Sequence, residues 1–227
     1  MFYFDSSYLF FVVPALIISL IAQFKVTTTF NKYSSVFNKK GYTGATVARL
    51  ILDANGLHNI AIERVSGNLS DHYDPKAKVV RLSDSTYNSN SVGAIGVAAH
   101  EVGHAVQHSV GYFPIKVRSA IIPITQFGSS LSWPLVLLGI VLGMDPLINV
   151  GIILFCAVVL FQLVTLPVEF NASTRAIKTL KDESILDRDE LKGARKVLSA
   201  AAMTYVAALI VAFANLLRLL AIRDRRR

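Results

Sequence analysis

Cysteine is almost missing from this chain. Cys156 is the only one, which excludes an internal disulfide and a cysteine-based zinc finger. Charge is scarce as well: 17% of the 227 residues are Asp, Glu, Lys or Arg, while 53% are hydrophobic and gather in long runs. Intrinsic disorder and an ordinary water-soluble globule are both poor readings of that balance. Acids are fewer than bases, 15 against 23, for a net charge of +8. An anionic lipid surface accounts for this excess as well as nucleic acid would, and no nucleic-acid partner is expected. The first apolar run has no Lys or Arg before it and no small-residue cleavage site after it, so it reads as an uncleaved anchor rather than a signal peptide. Internal repeats and low-complexity segments are absent from the sequence.

What the chain has in abundance is apolar sequence. Residues 8–24 form a run interrupted only by Pro14, Ser19 and Gln23, about long enough to cross a bilayer. Two further runs, 121–143 and 147–166, are joined by the tight Met144-Asp145-Pro146 turn and read as a membrane hairpin. A fourth, 198–217, is rich in alanine and uncharged, and is followed by Arg218 and the tail Arg223-Asp224-Arg225-Arg226-Arg227. Lys and Arg number none before Tyr8, eleven from Lys25 to Arg118, none in the hairpin turn and seven from Arg175 to Lys196. Since positive charge accumulates on the cytoplasmic side, residues 25–120 and 169–197 are expected in the cytoplasm and the N-terminus outside. The tail opposes this rule. If the fourth run spans, its arginines land outside; if it lies along the interface, they stay in. Its length of about 20 uncharged residues favours a span.

Residues 26–118 form the one sizeable polar stretch. In 43–55, TGATVARLILDAN, Thr43 is placed to cap a helix carrying Val47, Leu50, Ile51 and Ala54 at helical spacing, and Gly56 closes it. Residues 60–65 alternate loosely and fit a short strand. Asp74-Pro75-Lys76 is turn chemistry and 78–82 fits a second strand, so a small hairpin or ribbon is expected. Residues 91–108, SVGAIGVAAHEVGHAVQH, read as a helix that stops before Gly111 and Pro114.

On that helix lies His100-Glu101-Val102-Gly103-His104, an HEXXH sequence. Residues four apart differ by about 40° around a helix axis and roughly 6 Å along it, so both imidazoles can face one metal ion. Glu101 can reach water at that ion without ligating it. Two neutral nitrogen ligands, with a carboxylate to take a proton as water attacks a carbonyl, are the parts of metal-assisted hydrolysis. On this composition the pattern arises by chance in roughly one chain in four hundred, which outweighs the plain alternative of two hydrogen-bonded helix histidines. Ala98, Ala99, Gly103 and Ala105 are small and let another element come close.

Catalytic zinc takes three protein ligands and keeps a position for water. His108 lies about 12 Å along the axis from His100 and cannot share the ion with both histidines. The metzincin spacing HEXXHXXGXXH is excluded, because Gln107 and Val110 stand where glycine and histidine are needed. Asp145, in the outer turn of the hairpin, is a bilayer away from the histidines. Glu169 follows the returning span, just after Pro167. A hairpin that leaves and re-enters one face delivers Glu169 next to where it left, which makes it the strongest candidate; a helix N-terminal acid favoured by the dipole is the plainer alternative. The acids Asp182, Glu183, Asp187, Asp189 and Glu190 read as the solvated face of a helix start.

The segments MFYFD, LSDHYDPKAKVVRLS, GVAAHEVGHAVQH and TLPVEFNASTRA resemble the bacterial YugP-type neutral zinc metallopeptidases, and the resemblance runs over nearly the whole chain. More distantly, HEXXH, a membrane hairpin and then Glu169-Phe170-Asn171-Ala172-Ser173 are similar to the HtpX and CAAX prenyl protease group, where a glutamate in an ExxAD-like motif completes the zinc site. The resemblance implies one Zn2+ held by His100, His104 and Glu169, with Glu101 as general base. The aspartate that in those relatives stands four residues after the ligand glutamate, and orients a zinc histidine, is Ser173 here. Either its hydroxyl or another group serves in that place. Relatives also hold the substrate backbone on an edge strand beside the zinc helix. Residues 68–82 correspond to it, with Asp71 and His72 as candidates to reach the cleft and Arg175 as a candidate to steady an oxyanion; a solvated or lipid-facing role is the plainer alternative for each.

The expected protein is mainly α, with membrane-embedded helices and a small α+β zincin-like cytoplasmic catalytic domain. The layout runs from an N-terminal membrane anchor at 1–25 through a cytoplasmic metallopeptidase domain at 26–118 to a transmembrane hairpin at 119–168. A helix carrying the third ligand at 169–197, a C-terminal membrane helix at 198–222 and a basic tail at 223–227 complete it. The expected activity is that of a zinc metalloendopeptidase of the gluzincin kind. It would cleave a peptide or membrane-protein substrate at the lipid bilayer of the cell membrane, with the active site facing the cytoplasm. Two other readings stay open. An intramembrane zinc protease would take Asp145 as third ligand, although the apolar stretch 91–99 is too short to span. A metal-binding scaffold without catalysis would have no use for Glu101.

Overall fold

The computed structural model describes residues 6–225; the MFYFD segment and the arginines at 226 and 227 lie outside the described residues. A π-helical turn, Tyr8–Val12, leads into α1 (Val13–Ser34), followed by α2 (Gly44–Ala54) and three short strands, β1 (Ala61–Val65), β2 (His72–Asp74) and β3 (Val79–Ser83). The chain continues through α3 (Asp84–Tyr87), α4 (Val92–Ser109), α5 (Phe113–Leu142), α6 (Asp145–Asp182) and α7 (Arg188–Asp224). It divides into two compact units, one of residues 1–23, 114–167 and 203–227, the other of residues 24–113 and 168–202.

The described residues of the first unit are helical apart from Gly143, Met144 and Arg225. Around a buried cluster that includes Val136, Ile148, Phe155 and Leu219, many large apolar side chains point outward, Phe10, Phe127, Val141 and Ile153 among them. Such a surface is unsuited to water, and α1, α5, α6 and α7 are each long and apolar enough to cross a membrane. Small residues let α5 and α6 pack backbone to backbone, as membrane helices do. A Cβ at Gly151 would lie 2.7 Å from the Ser132 carbonyl oxygen, and one at Gly128 equally close to that of Leu154. The fourth run is laid out as a helix antiparallel to the first. The Arg218 guanidinium stacks on the Tyr8 and Trp133 rings at 4.8 and 5.0 Å, and Arg225 donates to Ser6 Oγ at 2.6 Å. The end of α7 therefore lies beside the start of α1.

The second unit holds the sheet and a core built from α2, α4 and the parts of α6 and α7 beyond their apolar runs. Thr43 caps α2 by accepting from the Thr46 N–H, and Gly56, at φ 70°, ends it. The buried stripe is Gly44, Val47, Ala48, Ile51 and Leu52, one position round from the expected one: Leu50 is 41% exposed and Ala54 is exposed too. Gly44, lacking a side chain, abuts the Thr86 carbonyl and so fixes which face turns inward. In the sheet, ordered β1-β3-β2, the Asp74-Pro75-Lys76 turn joins β2 to β3, with His72 opposite Arg81. β1 flanks β3 on its other side in parallel, Ala61 opposite Val79. The second strand expected from the sequence is thus the central one, and its hairpin partner is β2, too short for alternation to reveal. Between β1 and β2 the chain reverses through Gly67 at φ 106° and Leu69 at φ 56°.

All four long helices outrun their apolar runs, carrying helical geometry into polar sequence. Pro167 sits inside α6; it removes one backbone donor without ending the helix, so Glu169 lies mid-helix rather than at a helix N-terminus. At the head of α7, Asp187 accepts from the N–H groups of Asp189 and Glu190, and Glu190 accepts in return from that of Asp187. This is a reciprocal cap. Glu190 also accepts from the Lys39 N–H and is buried, unlike the solvated acid expected there.

Candidate metal centre

α4 begins at Ser91, whose hydroxyl accepts from the Ala94 N–H, and ends before Gly111 at φ 66°. It buries Val92, Ile95, Ala98, Ala99, Val102 and Ala105, and His100 and His104 stand one turn apart beside that face. Their ring centroids are 4.8 Å apart and their planes nearly perpendicular, at 83°. α6 passes with Glu169, Ala172, Ala176 and Leu180 turned inward, each 2% exposed or less, at the spacing of three to four that one helix face requires. A carboxylate therefore occupies a place that the pattern gives to apolar side chains.

The two helices meet at Gly103, where a Cβ would lie 2.7 Å from the Ala172 carbonyl oxygen. That approach sets Glu169 Oε2 3.2 Å from His100 Nε2 and 3.6 Å from His104 Nε2. One ligand atom from each of the three residues lies within 4.8 Å of the others. Burial works against charge on His104, yet the Glu169 hydrogen bond and the charges of Glu101 and Glu169 raise it above the usual imidazole value. Burial also works against charge on Glu169, which lies past the apolar run. Hydrogen bonds from His100 and His104 outweigh it and hold the carboxyl well below the usual carboxylate range. The site is a buried anion faced by two imidazoles, a place suited to a cation.

Each ring is also held on its far nitrogen. Ser173 Oγ lies 3.1 Å from His100 Nδ1, and Gln107 Oε1 lies 3.0 Å from His104 Nδ1, so both Nε2 atoms face Glu169. Metal-binding histidines characteristically carry such a partner on the nitrogen that does not ligate. Two imidazole nitrogens and a carboxylate oxygen are a donor set that suits zinc and leaves a position for substrate or water; the residues fit that ion. Glu101 is half-buried and close enough for its charge to act on His104.

The remaining candidates have contacts of their own. Asp71 accepts from the N–H and the hydroxyl of Ser83, both at 2.8 Å, and so pins the end of β3. His72 is exposed, its ring against Ser70 O and Arg81. Because side chains alternate along a strand, the neighbouring Tyr73 takes the opposite face, where its ring meets His108 of α4 with centroids 5.6 Å apart. Arg175 donates to Asn171 Oδ1 at 2.8 Å and lines a cavity of about 250 Å³ with Asn55, Lys178 and Asp182. The ligand-capable cluster contains Glu169 and neither His108 nor Asp145. Gln107, fully buried, stands out in sequence only as the residue that breaks the metzincin spacing. The signal that finds it is its place three residues after His104, within reach on one helix face.

The family described as "Putative neutral zinc metallopeptidase" matches residues 8–224. The chain is 51% identical over 211 residues to the "Putative membrane protease YugP" of Bacillus subtilis (strain 168), an overlap covering 93% of this chain and 94% of that one. No solved structure matches the chain.

Proposed function

The chain belongs to the family described as "Putative neutral zinc metallopeptidase", and from that membership we propose that it is a membrane-bound zinc endopeptidase of the gluzincin kind, with its site open to the cytoplasm. The observation that carries the reading is the convergence of His100, His104 and Glu169, ligand atoms within 4.8 Å, beside Glu101. A zinc ion held there would supply Lewis-acid polarisation of a peptide carbonyl and make water acid enough to lose a proton near neutral pH. His100 and His104 bring neutral Nε2 donors, and Glu169 brings the charge that favours a dication over a proton. Glu101 takes the proton of the attacking water on its carboxylate and returns it to the departing amine nitrogen as the peptide bond breaks. Ser173 steadies His100 from Nδ1.

The placing of the site follows from charge. Lys and Arg concentrate in 25–118 and 175–196, which supports a cytoplasmic side for both polar stretches of the cell-membrane protein. Tethering beside lipid favours peptides or membrane proteins presented at that surface as substrates. The test is zinc content by mass spectrometry on the purified chain and on Glu169→Ala, beside casein cleavage with and without chelator. Expected are one zinc per chain and chelator-sensitive cleavage for the wild type, with both lost in Glu169→Ala. Wild-type protein without stoichiometric metal would overturn the reading.

A further inference from the structure

Gln107 is fully buried, and its amide has a defined orientation. Nε2 donates to the Val168 carbonyl oxygen at 2.8 Å and to Asn171 Oδ1 at 3.0 Å. A main-chain carbonyl can only accept, so the amide nitrogen must be the atom facing Val168. The Asn171 end agrees, since its Oδ1 also accepts from Arg175 Nε. The atom left to face His104 is Oε1, which has no hydrogen to give. The 3.0 Å contact with His104 Nδ1 therefore requires the proton on Nδ1, and with it the lone pair of the neutral ring on Nε2, the nitrogen that faces Glu169. His100 is treated differently. Its partner is the Ser173 hydroxyl, which can donate or accept and so dictates no tautomer.

We infer that Gln107 is a positioning residue of the metal centre: clamped to α6 at Val168 and Asn171, it selects the Nδ1–H tautomer of His104 and sets the register between the ligand on α4 and Glu169. The anchors bracket Glu169 in sequence, so one side chain ties the helix carrying two ligands to the turn carrying the third. Both of its N–H groups donate and its oxygen accepts, which leaves it one rotamer and one orientation. Its neutrality matters as well, because a carboxylate in its place could accept from His104 but would face the Val168 carbonyl without a hydrogen to offer. The role rests on the metal-centre reading above and adds to it a residue outside the HEXXH sequence.

The experiment uses the full chain in detergent micelles and zinc alone as probe. The dissociation constant is read by competition with a chromophoric chelator for wild type, Gln107→Met and Asn171→Ala. Selective 15N-histidine NMR of the zinc-loaded wild type reads the tautomers. Expected are zinc binding weakened about 10- to 100-fold in Gln107→Met, a smaller loss in Asn171→Ala, which touches neither histidine, and a His104 resonance protonated at Nδ1. A merely structural glutamine would lower thermal stability without moving the affinity per folded molecule. Should Gln107→Met fail to fold, Asn171→Ala and the wild-type spectrum decide. Unchanged affinity in the variants, or an unprotonated His104 Nδ1, overturns the inference while leaving the metal centre standing. A wild type that binds no zinc overturns both.

Discussion

The proposed function gives the carboxylates Glu101 and Glu169 opposite tasks, and their surroundings differ to match. Glu169 is 2% exposed and held by two imidazoles, so it is suited to stay an anion and bind. Glu101 is half-buried on the motif helix, where it can exchange protons. Replacement by an amide of the same shape should leave the metal in place and remove the base. Glu101→Gln is expected to retain zinc by mass spectrometry while kcat on a peptide substrate falls about 10²- to 10⁴-fold; turnover within a few-fold of wild type would take Glu101 out of the reaction. The motif residues were legible because their geometry is local, two positions one helical turn apart. Glu169 became legible only through the hairpin's return, and Gln107 stayed hidden because its partners, Val168 and Asn171, are 61 and 64 residues away, so its place three residues after His104 gives no hint of what it holds.

Among the elements, the crossing of α4 and α6 decides whether the ligands meet. Gly103 sits where any Cβ collides with the Ala172 carbonyl, and backbone, unlike a side chain, cannot swing aside. Gly103→Val is therefore expected to cost about 1–3 kcal/mol of stability by overpacking and to weaken zinc binding more than a distant core change of equal stability cost, as measured by denaturant unfolding and chelator competition on the same preparation. The head of α7 gives a pH signature. Asp187 is held below the usual carboxylate range first by the Glu190 N–H and next by Lys39. A lowered folded-state pKa means its stabilisation is complete above the unfolded value, about 3.9, and fades as pH falls through the folded one. Melting temperatures of Asp187→Asn and wild type should therefore converge as pH drops from about 5 to about 3; a constant gap would show that the charge of Asp187 does not contribute. The Thr43 cap and the stop at Gly56 were readable from local patterns, whereas the inward face of α2 lies one position round from the expected one and the Asp187–Glu190 cap reads in sequence only as solvated acids; β2, three residues long, offers too little alternation to stand out, and the parallel pairing of β1 with β3 depends on a reversal at Gly67 and Leu69 that no hydrophobic pattern encodes.

At the scale of the whole molecule, four long apolar helices alternate with polar stretches, an order plain in the hydropathy of the sequence. Less visible was that each compact unit is assembled from separated stretches of chain, since a linear reading divides a sequence only into consecutive pieces. By the positive-inside rule the arginines that follow the fourth run oppose its spanning. The Arg218 stack on Tyr8 and Trp133 supplies partners for one of them where α1 begins. Sidedness can be tested because Cys156 is the lone cysteine. In a Cys156→Ser background, Met144→Cys in the hairpin turn should react with a membrane-impermeant maleimide on intact cells, and Lys76→Cys in the β2–β3 turn only after permeabilisation. The reverse pattern would turn the catalytic side outward.

The continuity of α6 has one more consequence. A cut just before residue 114 would leave His100, Glu101 and His104 on a piece still carrying α1 and part them from Glu169, on a helix whose opening half is apolar. Release of the HEXXH segment as a soluble piece would therefore break up the His100–His104–Glu169 cluster on which the proposed activity rests.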